Sequence, residues 1–369
     1  MKHGLLTALP RLAPALSRMG GIAAAALIIA SSLPASAGIF GASKNDVAVK
    51  VASLPQRYHE VASIGMAFNP SASELAVESG DLNIDIWDWH SEHIIKTLEK
   101  PRGAAGVLLT NPLSYSPDGK LFAVCDSRGA GDVVIRVWNT KSWEIAKDIT
   151  GPGSCSSMAF TPDGGLLVRA VFGGLRPNEL IVVNVDTWIE AWTLQLEPSP
   201  EALSISPDGS LVAVLGTITT EAAHDPAGRE FDFHHDPTVD IVDIKERKVV
   251  KSFRCDTMGS IAWSPDGTRL AVVGGRGVEI FDARSNEKLV QDNINPAGSM
   301  NVRFAPGGQY FIESHRIGHG AGLGANIWDG QRKTLLQHLP GDVDSLAISR
   351  DGKYLALGDT GHTTIWQFK

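Results

Sequence analysis

Ala262-Trp263-Ser264-Pro265-Asp266-Gly267, followed by Leu270-Ala271-Val272-Val273, is the stretch whose reading decides the fold. Proline presets φ for the first central position of a tight turn. Aspartate accepts hydrogen bonds from the backbone just after it, and glycine takes the positive φ that closes a hairpin. The apolar runs on either side then read as two strands, buried on both faces because nearly every residue in them is apolar. The pattern stands six more times: Met66-Ala67-Phe68-Asn69-Pro70, Ser116-Pro117-Asp118-Gly119, Phe160-Thr161-Pro162-Asp163-Gly164, Ile205-Ser206-Pro207-Asp208-Gly209, Phe304-Ala305-Pro306-Gly307-Gly308 and Ile348-Ser349-Arg350-Asp351-Gly352. The turns centre on positions 70, 117, 162, 207, 265, 306 and 350, so successive spacings are 47, 45, 45, 58, 41 and 44 residues. A period near 45 residues is that of a four-stranded propeller blade.

A third strand follows each hairpin, marked by Trp87, Trp138, Val183, Val242, Phe281, Trp328 and Trp366. Asp or Asn stands after several of them, as Asp88, Asn139, Asp243, Asp282 and Asp329. A fourth strand comes next, as in His93-Ile94-Ile95-Lys96-Thr97-Leu98. After Trp366 the sequence holds no fourth strand, while one strand-like segment, Asp46-Val47-Ala48-Val49-Lys50-Val51-Ala52, is left over ahead of the first unit. Transferring it to the seventh unit closes the ring and removes an exposed sheet edge. The expected fold is therefore all-β: a seven-bladed β-propeller over 38–369, closed by an N-terminal strand that completes the last blade. The in-phase Pro-Asp-Gly turns and Trp-Asp strands resemble the WD-repeat propeller family, in a bacterial, exported form. The resemblance covers about residues 46–369. It departs from the family in lacking a Gly-His before the first strand, and an Asp six residues before the strand-three aromatic occurs only as Asp81 and Asp132. What the resemblance implies for function is a rigid scaffold for protein contacts.

Residues 1–37 differ in composition. Lys2, Arg11 and Arg18 precede an apolar run over 20–33 and an Ala35-Ser36-Ala37 site, the parts of a cleavable signal peptide. The apolar run is shorter than the ~20 residues a membrane helix needs, and no later segment is long and apolar enough to span. The expectation is a periplasmic or secreted protein, cleaved after Ala37 and monomeric. Cleavage moves the formal charge from −8 to −11. So acidic a chain repels a phosphate backbone, which argues against nucleic-acid binding.

From turn position to strand-three marker the separations are 17, 21, 21, 35, 16, 22 and 16 residues. The excess in units two, three, four and six falls between the second and third strands, at one end of every blade. Insertions confined to one face mark it as a binding face. Its candidate residues are Arg128, Arg176, His224, Arg229, Phe231, Phe233, His234, His235, His315 and Arg316, the longest insertion running over 216–238. Unit six adds Glu313 to this face. His224, His234, His235, Asp236, His315 and His319 are the metal-ligand types available there, but their spacing matches no recognised zinc motif, and ordinary polar loop residues are the simpler reading. The chain has no Gly-x-Ser-x-Gly elbow and no phosphate-binding glycine loop between strand and helix. No cofactor is expected. The expected function is non-catalytic binding of an envelope or secreted protein or peptide. A metal-dependent hydrolase or a small-ligand binder at the loop face or central channel is the alternative. Of Cys125, Cys155 and Cys255, a bond between the first two across neighbouring blades is one reading; small buried hydrophobes are the simpler one.

Overall fold

The computed structural model describes residues 46–369 apart from 56–64, 79–82, 100–112, 129–131, 153, 173–176, 222–232, 293–298, 316–323 and 360. Seven antiparallel four-stranded sheets make up the described chain. In blade one the strands are Met66–Phe68, Glu74–Glu78, Ile84–Asp88 and His93–Leu98, innermost first. In blade four they are Ser199–Ile205, Leu211–Glu221, Phe233–Asp243 and Lys248–Arg254. Blade seven uses Ser345–Ile348, Tyr354–Gly358 and His362–Phe368, and its outermost strand is Ala48–Pro55. The transferred strand is thus real, set a little later than 46–52. Every turn motif joins a first strand to a second, and every strand-three marker lies on a third strand.

The turns work as their chemistry predicts. Ser116 Oγ donates to Asp118 Oδ1 at 2.7 Å, the same carboxylate oxygen accepts from Lys120 N, and Leu121 N donates to Ser116 Oγ. Thr161/Asp163, Ser206/Asp208, Ser264/Asp266 and Ser349/Asp351 repeat the arrangement. Gly119 and Gly209 sit at φ 74° and 73°, and a Cβ on either would lie 3.3 Å from the turn proline of the preceding blade, Pro70 or Pro162. Each such glycine therefore serves both its own hairpin and a contact to the preceding blade. The hydroxyl bond, the leading cause, holds the carboxyls of Asp163 and Asp208 low and brings Asp118 and Asp266 to about 2. An unfolded aspartate titrates near ~3.9. A folded value below the unfolded one stabilises the fold above that pH and is lost as pH falls toward the folded value. Thermal melts should therefore show stability declining between about pH 4 and pH 2, with a shallower decline in Asp118→Asn/Asp266→Asn.

The turns from third to fourth strand explain the Asp or Asn after each marker. Its side chain caps the turn: Asp88 Oδ1 accepts from His90 N, Asn139 Oδ1 from Lys141 N and Ser142 N, and Asp282 Oδ1 from Arg284 N and Ser285 N. Asn184, after Val183, does the same for Thr187 N and is a sixth member of the set. Each of these turns holds one non-glycine residue at positive φ: Glu92, Trp143, Trp188, Arg247, Asn286 and Arg332. Trp143 turns back onto Phe122 with ring centroids 6.1 Å apart, so the rim tryptophan covers its own blade.

The core is divided among the blade interfaces. Phe122, Ile84 and Ile86 fill the first interface, and Leu270, Val272 and Leu215 one on the far side, all fully buried. At the second interface Cys125 of blade two and Cys155 of blade three form a disulfide, Cα atoms 6.2 Å apart, within the same apolar cluster. The simpler sequence reading of two unbonded thiols is corrected here: blade packing brings strands 30 residues apart into bonding distance. Cys255 is buried and unbonded, and burial, the largest cause, pushes its thiol up to about 12, so it carries no reactive thiolate.

Candidate functional site

Antiparallel blades place the turns between second and third strands at one end of the molecule, together with the blade-to-blade connections. Blade four breaks the pattern of its neighbours there. Its second and third strands are 11 residues each, and they pair from Leu211↔Asp243 through to Glu221↔Phe233. The first strand of the blade stops pairing at Thr217 and the fourth at Thr238. The pairs Ile218↔Asp236, Thr219↔His235, Thr220↔His234 and Glu221↔Phe233 therefore belong to a two-stranded ribbon that runs beyond the rest of its sheet. A two-stranded hairpin is marginal in water on its own. Here it is braced by a Thr219 Oγ1–His235 Nδ1 contact of 3.3 Å and an Arg254–Asp236 ion pair of 3.2 Å.

This geometry corrects several sequence assignments. Phe233, His234, His235 and Asp236 lie on a paired strand, not in a loop. Arg128 ends the strand Leu121–Arg128, and His315 ends Tyr310–His315. Among the predicted binding residues only His235 has a described side chain, and it is exposed. Arg176, His224, Arg229, Phe231, Arg316 and His319 lie outside the described residues. Among the described residues no three His, Cys, Asp or Glu side chains converge as for a metal ion. Glu313 is not a surface residue: its carboxylate is 2% exposed and faces Arg332 across the blade. Nor is any described helix long and apolar enough to cross a membrane.

The second concave feature is the central channel, about 590 Å³, lined by the innermost strands of all seven blades. The residue three before each turn position faces it: Ala67, Ser114, Ala159, Ser204, Ala262, Arg303 and Ala347. Six are Ala or Ser, as a narrow bore requires; the seventh is a half-buried arginine. Arg303 Nη1 donates to Val302 O at 2.7 Å. Ser157 Oγ accepts from Leu203 N and Ser204 Oγ from Trp263 N, so each hydroxyl ties neighbouring blades, and among the described residues neither donates its own proton. Arg350, standing where the other turns carry proline, closes the turn end and donates to Pro117 O. Among the described residues no Asp or Glu lines the channel. Sequence reading by motif passed over Arg303, although superposing the seven units at their turns singles it out.

No protein-family model matches the chain. It is similar to nuclear distribution protein nudF 1 of Talaromyces marneffei, 29% identical over 156 residues, which are 41% of this chain and 32% of that protein. It is 27% identical over 146 residues to coronin-7 of Pongo abelii, 38% of this chain and 16% of the other. Telomerase protein component 1 of Rattus norvegicus is 24% identical over 296 residues, 75% of this chain and 10% of its own length. The chain thus spans a third or less of the length of these relatives. Taken with seven in-phase blades, the similarities support a WD-repeat β-propeller.

Proposed function

We propose that this propeller is an exported, non-catalytic scaffold that binds a protein or peptide through the end of the molecule carrying the blade-four ribbon. The ribbon carries the reading. Four residue pairs extend past the sheet that would otherwise support them, and folding of the propeller gives no reason to keep a marginal element there. Elaboration on a rigid scaffold is where contacts to partners concentrate. A propeller with partial likeness to WD-repeat proteins fits a role in protein contacts, with fold alone leaving chemistry open. The test is replacement of 218–236 by a two-residue Asn-Gly turn. The variant should keep its thermal midpoint within a few degrees and lose the envelope protein that the intact chain retains on cross-linking. Retention of the same protein by the variant removes the ribbon from the interface.

Export is supported by residues 1–37 and by the Cys125–Cys155 pair, since such bonds persist in oxidising compartments. Protein recovered from the envelope should carry that pair protected from maleimide. A chain lacking residues 1–37, held in a reducing cytoplasm, should carry it free. The reduced form should be less stable by about 3.6 kcal/mol, from the entropy of a 30-residue loop. Protein found in the cytoplasmic fraction with both thiols free would overturn the exported reading.

A further inference from the structure

Arg303 is out of place in its ring. The equivalent residues of the other six blades are Ala or Ser, and among the described residues the channel they enclose carries no carboxylate. Among the described residues Arg303 makes no ion pair, and its one hydrogen bond goes to the carbonyl of its own neighbour, Val302. Most of the guanidinium fork therefore stands open to the channel. Burial with nothing negative beside it holds the group below its usual value, yet an arginine stays protonated there. An uncompensated cation in a confined site is unfavourable for folding and is ordinarily replaced or paired. The same channel wall carries other groups suited to an anion: the hydroxyls of Ser157 and Ser204, each of which accepts a backbone N–H, and Arg350, a second positive charge at the turn end. All this sits inside a chain of net charge −8, so the positive potential is local to the channel.

We propose that the central channel binds a small soluble oxyanion, a carboxylate or a phosphate, with Arg303 as the forked donor that holds it. Two parallel N–H donors match a carboxylate or two phosphate oxygens, and the Ala side chains of the ring leave room beside them. The site is independent of the ribbon surface, so either can fail without the other.

The test is calorimetric titration of the chain over residues 38–369 with sodium phosphate and, separately, sodium citrate, at ionic strength held constant with sodium chloride. Saturable binding of at least one, tighter than about 1 mM, is the expected result. Which of the two binds tighter separates a phosphate from a carboxylate site. Arg303→Met should weaken binding by about tenfold or more, and Arg303→Lys, which keeps the charge and loses the fork, should fall between. Circular dichroism establishes that each variant is folded, and Arg303→Lys carries the comparison if Arg303→Met is not. Absence of saturable binding to the wild-type chain, or equal affinity in the folded Arg303 variants, overturns the proposal.

Discussion

Deleting 46–55 should abolish the monomeric propeller. Ala48 and Leu54, each 1% exposed, lie on opposite faces of the transferred strand. Ala48 packs into the interface of blades six and seven, Leu54 into that of blades seven and one. A bulge between Lys50 and Ala52 lets one short strand serve both. Gln337 of blade six fixes the register, its Oε1 accepting from Val47 N and Ala48 N and its Nε2 donating to Ala48 O. Without the strand, His362–Phe368 becomes an open edge, and both flanking clusters lose side chains. The loss is comparable with the whole stability of a typical domain, ~5–15 kcal/mol. Size-exclusion chromatography and circular dichroism should show an aggregated or unfolded chain, and a peptide of residues 46–55 added in trans should recover part of the folded signal. A monomeric, cooperatively melting deletion variant would show that blade seven stands on three strands.

Arg332→Ala should have the next largest effect. Arg332 and Glu313 are 5% and 2% exposed in their side chains. Nη2 and Nε of the arginine meet the Glu313 carboxylate at 3.1 and 3.2 Å, and Nη1 reaches Asp292 of the preceding blade at 3.0 Å. Trp328 stacks under the guanidinium at 4.6 Å and donates its Nε1 to Glu313 at 3.0 Å. Removing the cation leaves a buried carboxylate uncompensated, which costs about 3–5 kcal/mol. Urea denaturation should show a lowered midpoint with an unchanged slope. Glu313→Gln/Arg332→Met, which removes both charges together, should regain most of the loss. A double variant as unstable as Arg332→Ala would mean that shape, not charge, holds the site.

The architecture was legible because its signals are local and repeated. A Pro-Asp-Gly turn needs only its own side chains and the hydroxyl two residues before Asp, so seven copies in phase gave the blade count. The spare strand followed from counting. The ribbon was half legible: Thr217, Ile218, Thr219 and Thr220 are good strand formers, but Phe233-His234-His235-Asp236-Pro237 is not, and pairing between them is settled only across the insertion. Glu313 read as a surface residue because its partner, Arg332, lies beyond the glycine-rich segment and reaches it only once the blade is folded. The Cys125–Cys155 bond depends on blade packing in the same way. Arg303 carries no motif; its meaning comes from the six small residues that occupy its place elsewhere.

The transferred strand also dictates an order of events. Val47 is bound by a side chain 290 positions later, and Ala48 pairs with Phe368. During synthesis or translocation from the N-terminus, the first strand to emerge waits for the last one to arrive. Blades one to six are built from contiguous segments and can form as each is completed, whereas ring closure requires contacts of maximal sequence separation and comes late. Until then the molecule has two open sheet edges, and the interval between the first and last strand is when it is most exposed to mispairing.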